Sequence, residues 1–363
     1  MINLTPKSRR NISRIIPFAI IWVLSGWVII ITELGLNGTQ TPNPDTDIAF
    51  TIPVLIFANI ANMIVGLIVG TLEVIFLEKR FAHRSLRAKI FYKFLIYLLL
   101  FLVVNVLFYP VAFSFETGYS MLGAEAWNKL GRYLVSMSFI LTLFHLSVSL
   151  FASLVYSAIS ENLGHNVFLN LITGKYHKPV VEKRVFMFLD MKSSTSIAES
   201  LGHVRYFNLL QVYYDLMSDP IINSLGEVYQ YIGDEIVVSW DFEKGIQNTN
   251  CIQCFYAIRD KLKASQKKLI AEYGHEIDFK AGIHFGEVTI GEIGALKKEI
   301  VFTGDVLNTT ARIQSLCNAC KTDLLISSEL KKILPQNTYT FEHMGSISLK
   351  GRNRKEELYS VFR

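Results

Sequence analysis

Charge is scarce in this sequence. Asp, Glu, Lys and Arg make up 18% of its 363 residues, where a soluble protein of ordinary composition carries about 25%. Cysteine is missing from the first 250 residues, and the four that occur (Cys251, Cys254, Cys317 and Cys320) form two C-x-x-C pairs. Zinc sites use such spacing but sit on turns rich in Gly or Pro. Neither pair has such a flank, and both lie in helical stretches such as Thr310 to Cys317. They therefore read as buried thiols in a reducing compartment. A concentrated basic run is also lacking: the formal net charge is only +5, and its cations flank apolar segments. Nucleic acid is not an expected partner.

Hydrophobic residues, 51% of the chain, are unevenly spread. Residues 1 to about 160 are dominated by Phe, Leu, Ile and Val, and the remainder has globular composition, so the chain divides into a membrane part and an aqueous part. A membrane-crossing helix needs about 20 apolar residues. Four stretches qualify: 15–34, 49–77, 90–113 and 133–158. The first is too long for a leader and no small-x-small cleavage site follows it. Lys7, Arg9, Arg10 and Arg14 precede it, and Lys79, Arg80, Arg84, Arg87, Lys89 and Lys93 lie between the second and third stretches. Residues 35–48 contain no Lys or Arg, and the next loop has only Lys129 and Arg132. The positive-inside rule then puts the N-terminus and everything after about 159 in the cytoplasm. Polar residues within the spans are few: Glu33, Asn59, Asn62, Glu73, Asn105 and His145. Glu33 and Glu73 are expected to snorkel at span ends, and Asn59 and Asn62 to hold helices together. No polar line marks a transport path. A helical linker is expected over 159–181, ended by Gly174 and Pro179.

The aqueous part alternates strands and helices, as in an α+β or α/β sandwich. Strands are expected at 184–190, 227–232, 235–240, 277–283, 286–291, 323–326 and 357–362, and helices at 197–222, 247–273 and 306–319. Asp190 ends the first strand, and Asp234 sits with Gly233 on a hairpin tip. Two carboxylates brought together at strand ends make a hard-oxygen site for Mg²⁺ or Mn²⁺. Ser193, Ser194 and Thr195 lead into a helix whose free N–H groups suit phosphate. Each aspartate taken singly reads equally as a cap or turn residue.

In order along the chain, Leu189–Thr195, Glu227–Asp234, Gly282–Val288 with Gly291–Gly294, Gly304–Arg312, and Leu349–Gly351 with Tyr359 closely resemble the class III adenylate and guanylate cyclase catalytic domain. The resemblance covers about 180 residues. It implies a C-terminal α+β domain over 182–363 with a ferredoxin-like core sheet, beside an N-terminal all-α bundle of four transmembrane helices over 1–158. It implies ATP as substrate, cyclic AMP and pyrophosphate as products, and two Mg²⁺ or Mn²⁺ ions held by Asp190, Asp234 and the Met191 carbonyl; a guanylate cyclase and a catalytically silent nucleotide-binding module are the alternatives. Asn308 and Arg312 would act on the ribose and the α-phosphate, and Lys350 on the terminal phosphates. One domain carrying both residue sets implies a head-to-tail homodimer, in a bacterial inner membrane, with an unknown ligand or membrane partner as possible input. Two positions depart from the family pattern. Gln230 and Val301 stand where the purine base is read, and Val301 offers no hydrogen bond. Ser193 and Ser194 replace the usual Gly-Phe.

Overall fold

A computed structural model describes residues 4–38, 43–81, 86–335, 338–348 and 355–363. Chain contacts divide it into two compact units, one of Ser8–Leu169 and one of Asn170–Arg363 with the N-terminal residues through Lys7.

The first unit is helical: α1 (Pro6–Asn37), α2 (Ile52–Thr71) continued by a π-helical turn (Leu72–Leu77), α3 (Glu78–Phe81), α4 (Leu86–Thr117), α5 (Ala124–Leu134), α6 (Met137–Leu163) and α7 (His165–Thr173). Among the described residues, four helical stretches are long and apolar enough to cross a membrane: Pro6–Gly35, Ile52–Leu77, Arg87–Thr117 and Met137–Leu163. The first and third of these helices begin earlier than expected, at Pro6 and Leu86; the second and fourth begin later, and side-chain caps explain both. Thr51 accepts from the Val54 N–H and begins α2. Ser136 accepts from the Phe139 N–H, so the apolar run from 133 is split into the end of α5 and the start of α6. Hydropathy alone does not register a cap.

Close helix contact here depends on small residues. A Cβ added at Gly66 would lie 2.7 Å from the Ala19 Cα, and one at Gly26 would collide with the Asn62 amide. Asn62 thus sits at the α1–α2 contact. Asn59 does not hold a neighbouring helix; its amide donates 2.8 Å to the Leu55 carbonyl of its own helix. Glu73 does not snorkel either. It is 3% exposed, paired with Lys93 and accepting from the Tyr97 hydroxyl at 2.7 Å. Both partners come from α4, which hydropathy cannot reveal. Trp22 donates to Ser153 at 3.0 Å, and Ser25 and Ser149 share a 2.5 Å contact.

The second unit is built on one mixed sheet. Its strands are β1 (Val180–Met191), β2 (Glu227–Ile232), β3 (Glu235–Asp241), β4 (Phe279–Ile293), β5 (Glu299–Thr303), β6 (Leu324–Ser327), β7 (Thr340–Ser348) and β8 (Lys355–Phe362). They run in the order β2-β3-β1-β4-β6-β8-β7, with β5 paired to β4. The helices are α8 (Ser194–Asn223), α9 (Phe242–Ile246), α10 (Asn250–Tyr273), α11 (Asp305–Ser315) and α12 (Ser328–Ile333).

The period-2 alternation of β1 decides which face each side chain meets. Val185, Met187, Leu189 and Met191 join Leu209, Tyr213, Phe255 and Ile258 in the core beneath α8 and α10. Phe186 and Phe188 point the other way, to a smaller cluster with Val306 of α11. Asp190 has the same parity as Phe186 and Phe188 and falls on the α11 side. On β4, Phe279, Ala281 and Ile283 belong to the large core, so Lys280, Gly282 and Gly286 face α11. The glycines make room for it: a Cβ at Gly282 would lie 2.4 Å from the Gln314 nitrogen, and one at Gly286 would lie 3.1 Å from Val306.

The sequence pattern divides β4 into two strands; the structure has one, because Phe285 and Gly286 stay extended and paired with Val185 and Arg184 of β1. The partner of its distal half is β5, unforeseen, with Gly291 opposite Val301. Helix α11 stops at Ser315, before the expected 319. The Cys317 N–H bonds back to the Gln314 carbonyl at 3.1 Å, and Lys321 turns left-handed (φ 51°).

Gly282→Ala should lower the melting temperature, costing about 1–3 kcal/mol, since the clash is with backbone that cannot rotate away. Differential scanning fluorimetry against wild type checks this; an unchanged midpoint would mean that α11 is not held against β4.

Candidate active site

Asp190 closes β1, and the β2–β3 hairpin brings Asp234 to it. Gly233 supplies the positive φ of the turn (64°), and the Tyr214 hydroxyl donates to the Gly233 carbonyl at 2.6 Å. The loop after Asp190 is tied down as well. The Lys192 N–H donates to the Asp278 carbonyl at 2.9 Å, and its ammonium pairs with Asp278 at 2.7 Å and Asp323 at 2.5 Å. Ser193 then turns left-handed (φ 56°) and α8 begins with no side-chain cap. Ser193 and Thr195 are exposed and Ser194 half-buried, beside the acid pair.

The two carboxylates crowd each other. Burial pushes Asp190 above the usual carboxylate range; the neighbouring Asp234 adds to the rise and Lys280 opposes it. Two ionised carboxylates can only accept, so neither satisfies the other. Asp234 Oδ2 is enclosed without a hydrogen-bond partner. Asp190 Oδ2 has two donors: the Lys280 ammonium at 3.4 Å and the Gln314 amide at 3.2 Å. Burial and the charges of Asp190 and Asp234 push Glu235 up to about 7. Among the described residues no cluster of three or more metal-ligand side chains forms. The donor set is therefore two carboxylates with an orphaned oxygen, beside the backbone of Met191. It fits a hard divalent cation such as Mg²⁺, which takes one or two carboxylates and completes its shell with substrate phosphate.

The expected residues do not all converge. Asp190 and Asp234 meet; Asn308 and Arg312 do not join them. The sheet-facing side of α11 is Val306, Thr309, Thr310, Ile313 and Gln314. Asn308 is exposed, Arg312 half-buried, and Arg312 makes no ion pair with any described residue. Gln230 is exposed on β2, next to a bulge in the β2–β3 register. Val301 is half-buried on β5. Lys350 lies outside the described residues. Three residues went unrecognised in the sequence: Lys280, Gln314 and Glu235. The alternation of β4 flags the first, a polar residue between Phe279 and Ala281. The second is a polar residue on the buried stripe of a helix.

The cysteines are embedded in packing. Cys251 and Cys254 are fully buried in the large core, and burial raises the Cys251 thiol to about 12. Cys317 donates to the Ala281 carbonyl at 3.3 Å, and Cys320 is half-buried.

Residues 177–362 match the family described as the adenylate and guanylate cyclase catalytic domain. The chain belongs to that family. Among curated proteins, this cyclase chain is 35% identical over 204 residues to adenylate cyclase 2 of Rhizobium meliloti (strain 1021), covering 56% of each. It is 25% identical over 181 residues to adenylate cyclase 1 of the same strain, covering 48% of this chain and 27% of that one. It thus spans about half or less of these relatives' lengths. A bacterial light-regulated adenylyl cyclase structure shares the cyclase fold, with a TM-score of 0.54 at 22% identity over 63% of this chain and 67% of that one.

An acid whose pKa is higher folded than unfolded holds its proton more tightly when folded, so stability falls as pH rises through the interval between the two values. Asp190→Asn should therefore raise the melting temperature at neutral pH without divalent cations. The gain should vanish at a pH below the unfolded Asp value of about 3.9. Thermal melts across pH check both.

Proposed function

We propose that the chain is a membrane-anchored adenylate cyclase, converting ATP to 3′,5′-cyclic AMP and pyrophosphate in a homodimer of catalytic domains. One observation carries the reading. Asp190 and Asp234 meet on one side of the domain with an oxygen left unpaired, while Arg312 and Asn308 of the same chain stand apart from them on α11. A domain whose two residue sets do not meet within one chain can complete two sites by pairing head to tail. The 35% identity to an adenylate cyclase supports ATP over GTP.

In this reading residues 1–158 anchor the enzyme in a bacterial inner membrane with the N-terminus cytoplasmic, 159–181 link, and 182–363 catalyse. Two Mg²⁺ or Mn²⁺ ions, held by Asp190, Asp234 and the Met191 carbonyl, would acidify the ribose 3′-hydroxyl and neutralise the triphosphate. Lys280 adds a fixed positive charge beside the acids, where polyphosphate would lie. Ser193, Ser194 and Thr195 offer the uncapped N-terminus of α8 to phosphate oxygens. From the partner, Arg312 meets charge developing on the α-phosphate as the 3′-oxygen attacks and pyrophosphate departs. Asn308 orients the ribose, and Lys350 takes the terminal phosphates. Gln230 donates to and accepts from the purine edge; Val301 contributes only shape.

The test is turnover of the detergent-solubilised chain with Mn²⁺ and equal ATP and GTP, products resolved by mass. Cyclic AMP that disappears in Asp234→Ala is expected. Cyclic GMP would keep the chemistry and overturn the substrate, and nucleotide binding without product would leave a silent signalling module. Arg312→Ala should cost about 10²–10³-fold in kcat, as for loss of one transition-state donor.

The dimer has its own test. Co-expressed Asp190→Asn and Arg312→Ala chains, each inactive alone, should form mixed dimers with one intact site and recover about a quarter of wild-type activity. No recovery would mean that each site is built from one chain.

A further inference from the structure

Helix α11 presents three polar side chains to the sheet, and two are accounted for without the active site. Thr309 and Thr310 are fully buried; the Thr310 hydroxyl donates to the Val306 carbonyl of its own helix at 2.7 Å, and Thr309 Oγ1 is enclosed without a partner. Gln314 reaches outside the helix. It is 6% exposed, and its amide donates to Asp190 Oδ2 at 3.2 Å. A carboxylate offers no proton, so only the NH₂ group of Gln314 can face it.

The backbone around this contact is fixed. With hydrogen in place of a side chain at Gly282, the Gln314 nitrogen sits directly over β4. On the strand, Asp190 is the register partner of Lys280, and the Lys280 ammonium approaches the same Asp190 oxygen at 3.4 Å. Two donors from two elements thus converge on Oδ2.

We infer that Gln314 is a positioning residue for Asp190. Together with Lys280 it pins the carboxylate through Oδ2, fixes its rotation, and leaves Oδ1 to the cation shared with Asp234. This rests on the cyclase reading above and adds a residue to it. The amide suits the task better than its alternatives. An acid at 314 would add a third negative charge to a crowded pair. An apolar residue would leave Asp190 to Lys280 alone, a flexible cation that incoming phosphate also attracts.

The experiment uses the full chain in detergent and has two arms. In the first, Mn²⁺ binding is read from the electron paramagnetic resonance signal of the free ion. The variants are Gln314→Met, of equal length without a donor, and Gln314→Asn, whose donor is withdrawn by one carbon. Either should bind Mn²⁺ at least about tenfold more weakly, the usual cost of losing a residue that orients a metal ligand. Asp190→Asn is the control. Wild-type affinity in both Gln314 variants, beside a loss in Asp190→Asn, overturns this role alone. Wild-type affinity in Asp190→Asn overturns the metal-site reading and this role with it.

The second arm separates positioning from packing, using the mixed dimers described above. Their intact site takes its acids from the Arg312→Ala chain and its arginine from the Asp190→Asn chain. Gln314→Met on the acid-giving chain should cut activity about tenfold or more. On the arginine-giving chain it should have little effect. Equal loss from either chain would mean that Gln314 only packs α11, and would overturn the proposal.

Discussion

Two like charges held together against a lysine that reaches only one of them are the constraint on which the catalytic unit depends. Separated, Asp190 and Asp234 would be ordinary surface acids; held together, half-buried, they are not, because burial and the neighbouring Asp234 raise the cost of ionising Asp190. A flexible scaffold would let them part. The scaffold here denies that route. Asp190 ends a twelve-residue strand paired on both sides. Asp234 occupies a turn pinned from α8 by Tyr214. The loop between them and the sheet is roped by Lys192 to two further acids. The resulting electrostatic strain is what a divalent cation at the proposed site would relieve, so part of its affinity would be stored in the fold.

The same constraint explains why the glycines of β4 matter. Bringing a helix close enough to set a short amide against Asp190 requires its backbone almost on the strand. Only hydrogen at position 282 allows it. Gly286, four residues on and on the same face, continues the groove under Val306. The strand is thus shaped by what must lie across it, and its long unbroken course gives that helix a flat seat.

Much of this was legible in the sequence, and the rest has identifiable reasons for being hidden. Strands with strong apolar character and helices of three turns or more were readable from periodicity. The aspartates stood out because each interrupts an apolar pattern at a strand end. What escaped depends on pairing across the chain. Strand β5 has strand-forming composition in Ile300, Val301 and Phe302, but it is only five residues long, and its place is set by the edge that β4 offers it. The strands expected at 277–283 and 286–291 are one because His284 and Phe285 stay paired with β1, and Gly286 is a packing notch. Glu73 looked like a residue at a membrane boundary because its partners, Lys93 and Tyr97, lie twenty and twenty-four positions away. Ser136 ended an apolar run that hydropathy treats as continuous. Apart from Ser136, whose cap is local, each omission involves a residue whose state is fixed by a neighbour distant in sequence.

That dependence on neighbours also bears on the division of labour within α11. A helix lying on a sheet has one face toward the strand and one away. Here the inner face is filled by Val306, Ile313 and the amide that reaches Asp190. Asn308 and Arg312, four apart, share a different stripe. Turning the helix to carry Arg312 to the acids would withdraw Gln314 and drive side chains into the space that Gly282 leaves empty. A single helix in this groove cannot serve the acid pair with both sets at once. In the proposed homodimer, the acid pair whose substrate Arg312 meets would be supplied by the other copy of the chain. The close seat that orders Asp190 is thus itself an argument for completing the site between two chains.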